Sequence, residues 1–116
     1  MNESDVERWV EAYEKAWESN EPTAIQALFT EDARYFTAPY REPWHGRDAI
    51  VDEWLGRRDE QGSWTFRFEV MAVAGSLGFV RGWTVYADAT YSNLWVIGLA
   101  GDGRCEEFTE WWMKEK

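Results

Sequence analysis

The second half of the chain is written in period two. Trp64, Phe66, Phe68 and Val70 alternate with Thr65, Arg67 and Glu69, which is the pattern of a strand with one buried and one solvated face. Three further strand runs follow, Gly78 to Ala87, Tyr91 to Ala100 and Arg104 to Met113. The breaks between them are Gly75-Ser76, Asp88-Ala89-Thr90 and Asp102-Gly103. The last is a strong hairpin turn, because Asp-Gly readily takes the positive φ that tight hairpins require. Strands joined this tightly pair with their chain neighbours as an antiparallel meander. On the final strand Phe108, Glu110 and Trp112 share one face, and Cys105, Glu107, Thr109 and Trp111 the other. Such a sheet has one face to bury, and the first half of the chain has to cover it.

That first half reads as helical. Ser4-Asp5-Val6-Glu7 has the S-x-x-E form of a capping box. Val6, Trp9, Val10, Tyr13 and Trp17 then recur at helical spacing, with a stop near Ser19-Asn20. Pro22 suits the first turn of a short second helix that buries Ile25, Leu28 and Phe29, and Thr30-Glu31-Asp32 ends it. Ala33 to Thr37 predicts a strand with Tyr35 and Thr37 on its inner face. Pro39 and Pro43 bracket a loop, Tyr40-Arg41-Glu42, and Gly46 opens a third helix whose inner side carries Ile50, Val51, Trp54 and Leu55. Helices gathered at one end and strands at the other define an α+β domain, residues 1–116 as one unit. The expected architecture is three N-terminal helices packed on a curved, mostly antiparallel sheet. The curl tapers to a packed end and leaves an internal cavity at the open end.

Composition narrows the function. The net charge of −10 argues against nucleic acid and anionic membranes as partners, since both need clustered Lys and Arg. One cysteine, Cys105, makes neither an internal disulfide nor a zinc cluster. It reads as an inert strand thiol and fits a reducing, cytoplasmic setting. The sole histidine is His45, and with no carboxylate pattern at ligand spacing, no metal and no cofactor is expected. No apolar run approaches membrane-spanning length, and the acidic N-terminal stretch shows no secretory signal. Nine tryptophans in 116 residues point either to a heavily aromatic core or to a ring-lined cavity. Trp17, Trp54, Trp64, Trp83, Trp95 and Trp112 are open to both readings.

The element order resembles the NTF2-like superfamily, and within it the SnoaL-like, polyketide-cyclase-like group. The residues that carry the resemblance are Leu28-Phe29, Glu31-Asp32-Ala33 entering the strand, Glu42-Pro43, Gly46 and Ala49-Ile50. The Asp102-Gly103-Arg104 hairpin running into Glu107-Phe108-Thr109-Glu110-Trp111 adds to them. The resemblance covers nearly the whole chain. It implies an NTF2-like cone and a homodimer formed through the sheet, with Trp111 on the outer face suited to that contact. It leaves the activity open, because isomerases, cyclases, hydrolases, dehydratases and non-catalytic binders share the fold.

The known chemistries of that group can be laid on this chain. The general-base aspartate of ketosteroid isomerase falls on Thr37, which cannot shuttle a proton as a carboxylate does. Its oxyanion tyrosine falls on Tyr13, and its second oxyanion donor near Trp95, whose indole N–H donates but cannot titrate. In the Asp-Arg-Asp arrangement of limonene-epoxide hydrolase, Glu110 stands near one acid and Arg81 offers the guanidinium. No second acid appears on the strand around Arg81, with Asp88 at the turn. The aspartate and histidine of the polyketide cyclases find no counterpart, as His45 sits at a loop-to-helix junction.

Glu110 is the leading candidate for chemistry. A carboxylate pointing inward among Phe108 and Trp112 has its pKa raised by desolvation and becomes a usable general acid or base. Pointing outward, it would pair with a surface arginine. Tyr13 either donates a hydrogen bond to a ligand carbonyl or satisfies its hydroxyl within the core. Trp17, Tyr35, Thr37, Tyr40, Trp44, Trp54, Trp95 and Trp112 are the expected substrate-binding residues. The partner is then a small hydrophobic, oxygenated molecule, transformed without cofactor by acid–base chemistry as an isomerase, cyclase, lyase or epoxide hydrolase. A non-catalytic binder and an association module with a filled cavity are the rival readings.

Overall fold

The computed structural model describes residues 1–116. The elements in chain order are α1 (Glu3–Ser19), α2 (Pro22–Gln26), β1 (Phe29–Phe36), β2 (Trp44–His45), α3 (Arg47–Gly56), β3 (Trp64–Ala74), β4 (Leu77–Tyr86), β5 (Thr90–Leu99) and β6 (Cys105–Lys114). One six-stranded sheet has the order β2-β1-β6-β5-β4-β3. The meander β3 to β6 is antiparallel throughout, while β1 joins β6 in parallel, so the sheet is mixed.

α1 starts earlier than Ser4. Asn2 is its cap, accepting from Asp5 N at 3.0 Å, while Asp5 Oδ2 accepts from Asn2 N at 2.9 Å. This reciprocal pair satisfies two terminal N–H groups and puts Glu3 and Asp5 in the first turn, where the helix dipole favours them. The helix ends where expected, with Asn20 in the left-handed conformation as cap. Its buried stripe is Val6, Trp9, Val10, Tyr13 and Ala16. Trp9 Nε1 donates to Leu28 O at 2.9 Å and pins α1 to the connection between α2 and β1.

β1 is longer than the sequence indicates. Thr30-Glu31-Asp32 lies within the strand, exposed or half-exposed, and the pairing with β6 shifts register between Phe29 and Arg34. α2 therefore ends at Gln26, and Phe29 packs from a strand. Thr37 falls just past the end of β1. The loop returns as β2, which pairs antiparallel with Arg34 and Tyr35. Gly46 then caps α3 at φ 94°, a backbone angle that favours glycine.

Cys105 is not on the outer face. Leu99 pairs with Cys105 and Gly98 with Glu107, so Glu106 is an extra residue on β6. This bulge resets the alternation and turns both Cys105 and Phe108 into the core, fully buried. Burial pushes the Cys105 thiol pKa well up, so it stays a neutral core group.

Two glycines on β4 set how closely the layers meet. A Cβ on Gly78 would lie 2.7 Å from Val6 Cγ2, beneath α1. One on Gly82 would lie 2.6 Å from Phe66 Cε1, whose ring stacks on Trp95 at 5.0 Å. Val6 is fully buried and β-branched, so it cannot swing aside. Gly78→Ala is expected to lower stability by about 1–3 kcal/mol through overpacking. Gly101, with nothing within 4 Å of its Cβ position, is the control. Thermal unfolding of the two alanine variants checks this, and equal melting temperatures would refute it.

Candidate active site

The inner face of the sheet and the helices bound an open pocket of about 590 Å³. α1 contributes Tyr13 and Trp17, α3 contributes Trp54, β1 and β2 contribute Tyr35 and Trp44, the connections after β1 and α3 add Thr37 and Arg57 to Asp59, and the meander supplies the rest. Tyr13 is the hub of the rings. Its ring lies 4.7 Å from Trp95, 4.8 Å from Trp54 and 5.6 Å from Phe108. Tyr35 stacks on Trp44 at 4.6 Å, which is what the short β2 pairing achieves. Offset and tilted ring contacts of this kind add to their area burial.

Three polar clusters sit within this aromatic shell. In the first, Glu110 faces Trp95 directly across the β5–β6 ladder. Glu110 Oε2 accepts the Trp95 indole N–H at 2.7 Å and Asn93 Nδ2 at 3.1 Å. Asn93 is held in turn by the Thr84 hydroxyl, which donates to Oδ1 at 2.8 Å. Glu110 as a residue is half-buried because it borders the open pocket, but its carboxylate is ringed by protein. Burial pushes its pKa up to about 7, against the two N–H donors, which pull the other way.

In the second cluster the Tyr13 and Tyr35 hydroxyls meet at 2.7 Å. Burial raises both phenol pKa values well above the ordinary 10, so both remain neutral donors at physiological pH. In the third, Asp59 Oδ2 accepts Trp17 Nε1 at 3.0 Å and the Tyr86 hydroxyl at 2.9 Å. Asn20 Nδ2 donates to the Asp59 carbonyl at 3.2 Å. These bonds tie the loop after α3 to α1 and β4 along one wall.

Tyr13, Trp17, Tyr35, Thr37, Trp44, Trp54, Trp95, Glu110 and Trp112 all border the pocket. Tyr40 does not: it is 80% exposed at the tip of the β1–β2 loop, with the Arg41 guanidinium 5.6 Å from its ring. Arg81 points outward into an exposed ion pair with Glu69, so it offers Glu110 no guanidinium. His45 is exposed on β2 and takes no part in the lining. Trp83 is on the outer face with Arg67 3.9 Å from its ring, and Trp64 stacks behind Trp17 at 3.6 Å. No three His, Cys, Asp or Glu side chains converge as a ligand set for a metal ion.

Sequence reasoning missed Thr84, Tyr86, Asn93 and Asp59. The first three carried a signal. Thr84 and Tyr86 follow Gly82 at period two, and Asn93 precedes Trp95 by the same step, which puts polar groups on an inner face. Asp59 carried none, since only tertiary packing brings its loop to Trp17 and Tyr86.

A family model described as SnoaL-like domain matches residues 6–112. The chain belongs to the SnoaL-like domain family. The fold of this SnoaL-like protein is shared by several solved structures. An NTF2-like protein of unknown function from Burkholderia xenovorans LB400 has TM-score 0.78 and 14% identity, over 100% of this chain and 88% of that one. A ketosteroid isomerase-like protein from Erwinia carotovora atroseptica SCRI1043 has TM-score 0.66 and 18% identity, over 93% of each chain. An LEH-like epoxide hydrolase of M. tuberculosis has TM-score 0.65 and 15% identity, over 95% of this chain and 84% of that one. Identities this low speak for the α+β NTF2-like fold and not for the activity. No curated protein matches the SnoaL-like chain significantly.

The raised carboxyl makes stability depend on pH. Between its ordinary 4.5 and about 7, the folded protein binds more protons at Glu110 than the unfolded chain. Stability from this group is thus present below that window and is lost as pH rises through it. Glu110→Gln should gain on the wild type by on the order of 1–3 kcal/mol between about pH 5 and about pH 8. Denaturant unfolding at both pH values measures the gap, and a gap that does not widen contradicts a desolvated Glu110.

Proposed function

We propose that the pocket binds a hydrophobic, oxygenated small molecule and that the protein transforms it by acid–base chemistry without a cofactor. On this reading the sheet curls as a cone whose open end is the ligand cavity. The observation that carries the proposal is the Glu110 carboxyl placed inside a ring-lined pocket and bonded to Trp95 and Asn93, where burial pushes its pKa up to about 7. A group so tuned exists as both acid and base at neutral pH, which is what a proton shuttle needs.

The groups present suit proton transfer beside a carbonyl or at an epoxide. As base, the Glu110 carboxylate takes a proton from carbon. The C–H electron pair moves into the new C–C double bond, and charge develops on the ligand oxygen. The Tyr13–Tyr35 pair shares one hydrogen between its two oxygens and so keeps a second for that oxygen. Returning the proton at another carbon completes an isomerisation, and loss of a leaving group completes an elimination. With the proton on Glu110, the same carboxyl can protonate an epoxide oxygen as its C–O bond breaks and a solvent water adds to that carbon, the water's surplus proton returning to the Glu110 carboxylate. Thr37 borders the pocket without a titratable group, so the base sits on β6 instead.

A second copy of the chain is the proposed protein partner, in a cytoplasmic homodimer. The outer face of the sheet supports this, because Leu94, Trp111 and Met113 are 36%, 41% and 72% exposed there and form an apolar surface that association would cover.

The test uses a panel of hydrophobic ketones and epoxides in D2O, followed by NMR for deuterium incorporation and ring opening. Wild type should turn over at least one member, with the base-catalysed rate rising through about pH 7 as Glu110 ionises. Glu110→Gln should lose about 100-fold or more in rate while still binding the same compound, read by tryptophan quenching. Turnover that survives Glu110→Gln contradicts the mechanism. Binding of panel members with no turnover of any would make the protein a non-catalytic binder.

A further inference from the structure

The two oxygens of Glu110 are not equivalent. Oε2 accepts both the Trp95 and the Asn93 N–H, and no protein donor reaches Oε1. Trp95 can only donate, so its half of the arrangement is fixed. Asn93 is ambivalent, because a half-turn of its amide would present an acceptor to Glu110 instead of a donor. The ionised Glu110 carboxylate only accepts, so it takes the Nδ2 end, and the Thr84 hydroxyl holds and polarises the amide in that orientation by donating to Oδ1 at 2.8 Å. Thr84 and Asn93 are 4% and 8% exposed, so neither readily exchanges this bond for bulk water. Thr84 reaches Asn93 because β4 pairs with β5 through Gly82 opposite Asn93, one period-two step away.

We propose that Thr84 is a positioning residue for proton transfer by Glu110: through Asn93 it makes Oε2 the anchored oxygen and leaves Oε1 to take and return the substrate proton. This rests on the reading of Glu110 as the working acid–base group. In the base direction the substrate C–H bond breaks, its electron pair stays on the substrate, and a new O–H bond forms at Oε1. Return of the proton reverses the step, and Oε2 keeps both donors throughout. Without the Thr84 hydroxyl the Asn93 carbonyl has lost its donor. Asn93 Nδ2 is then a less polarised and less well-placed donor to Oε2, which favours the protonated carboxyl.

The phenols facing Glu110 are Tyr13 from α1, Tyr35 from β1 and Tyr86 from β4, all with pKa values pushed up mainly by burial. Tyr91 on β5 and Lys114 on β6 border the same pocket. Arg57, Arg58 and Asp59 after α3, and Asp88 in the β4–β5 turn, complete its ionisable groups. Substituting Thr84 changes none of these charges, so a shift at Glu110 reports the loss of the hydroxyl.

The Trp95 indole N–H touches Oε2 and reports its charge. Its resonance in a 1H–15N spectrum, assigned by its loss in Trp95→Phe, is followed from about pH 5 to about pH 9. The wild-type midpoint should lie at about 7. Thr84→Val should raise it by about one pH unit, the scale of one hydrogen bond, and Thr84→Ser should restore it. Thr84→Ala is expected to behave like valine and stands in if Thr84→Val does not fold. A wild-type midpoint in Val and Ala, or a Ser shift as large as theirs, overturns the role of Thr84 and leaves that of Glu110 standing. A resonance that does not titrate in the wild type, or titrates equally in Glu110→Gln, overturns the acid–base reading itself.

Discussion

The hydrogen bond from Trp95 to Glu110 is the constraint on which the rest of the site depends. A carboxylate surrounded by rings is costly unless donors meet it. Here β5 supplies two donors to one oxygen, and they come from residues on the same face of one strand. Trp95 faces Glu110 in the ladder, so the bond exists only in this register. A slip by one residue would send both side chains to the other face. The pairing of the meander and the state of the candidate acid–base group are therefore set together.

The aromatic residues fill the core and line the pocket at the same time. Trp95 is 2% exposed and still borders the pocket, so core ring and pocket wall are not alternatives for it. Tyr13 shows the same economy, with its ring packed on five others and its hydroxyl spent on Tyr35. Rings this large fit because β4 has no side chain at Gly78 and Gly82, where α1 and Phe66 come closest. The curved sheet and the helices packed on it thus share one set of rings between the core and the pocket lining.

Much of this was legible in the sequence. Period-two alternation with three turn signals placed the meander, and helical spacing placed the buried stripe of α1. Glu110 was singled out because it shares a strand face with Phe108, and that face proves to be the inner one. What was hidden depended on competition between local options or on tertiary contact. Asn2 and Asp5 outcompeted Ser4 and Glu7 as the cap. The bulge at Glu106 broke the simple alternation and moved Cys105 inward. Tyr40 looked like pocket wall by its neighbours, but the β1–β2 loop turns its ring to solvent. Asp59 gave no pattern at all, because its partners come from α1 and β4.

Burial among rings, and not a neighbouring charge, sets the proton affinity of Glu110. The most direct measurement is the 13C chemical shift of its side-chain carboxyl followed against pH, with the signal assigned by its absence in Glu110→Gln. The midpoint should lie at about 7. A midpoint at the ordinary glutamate value of 4.5 would contradict it, and would leave the pocket without the acid–base group on which the proposed chemistry depends.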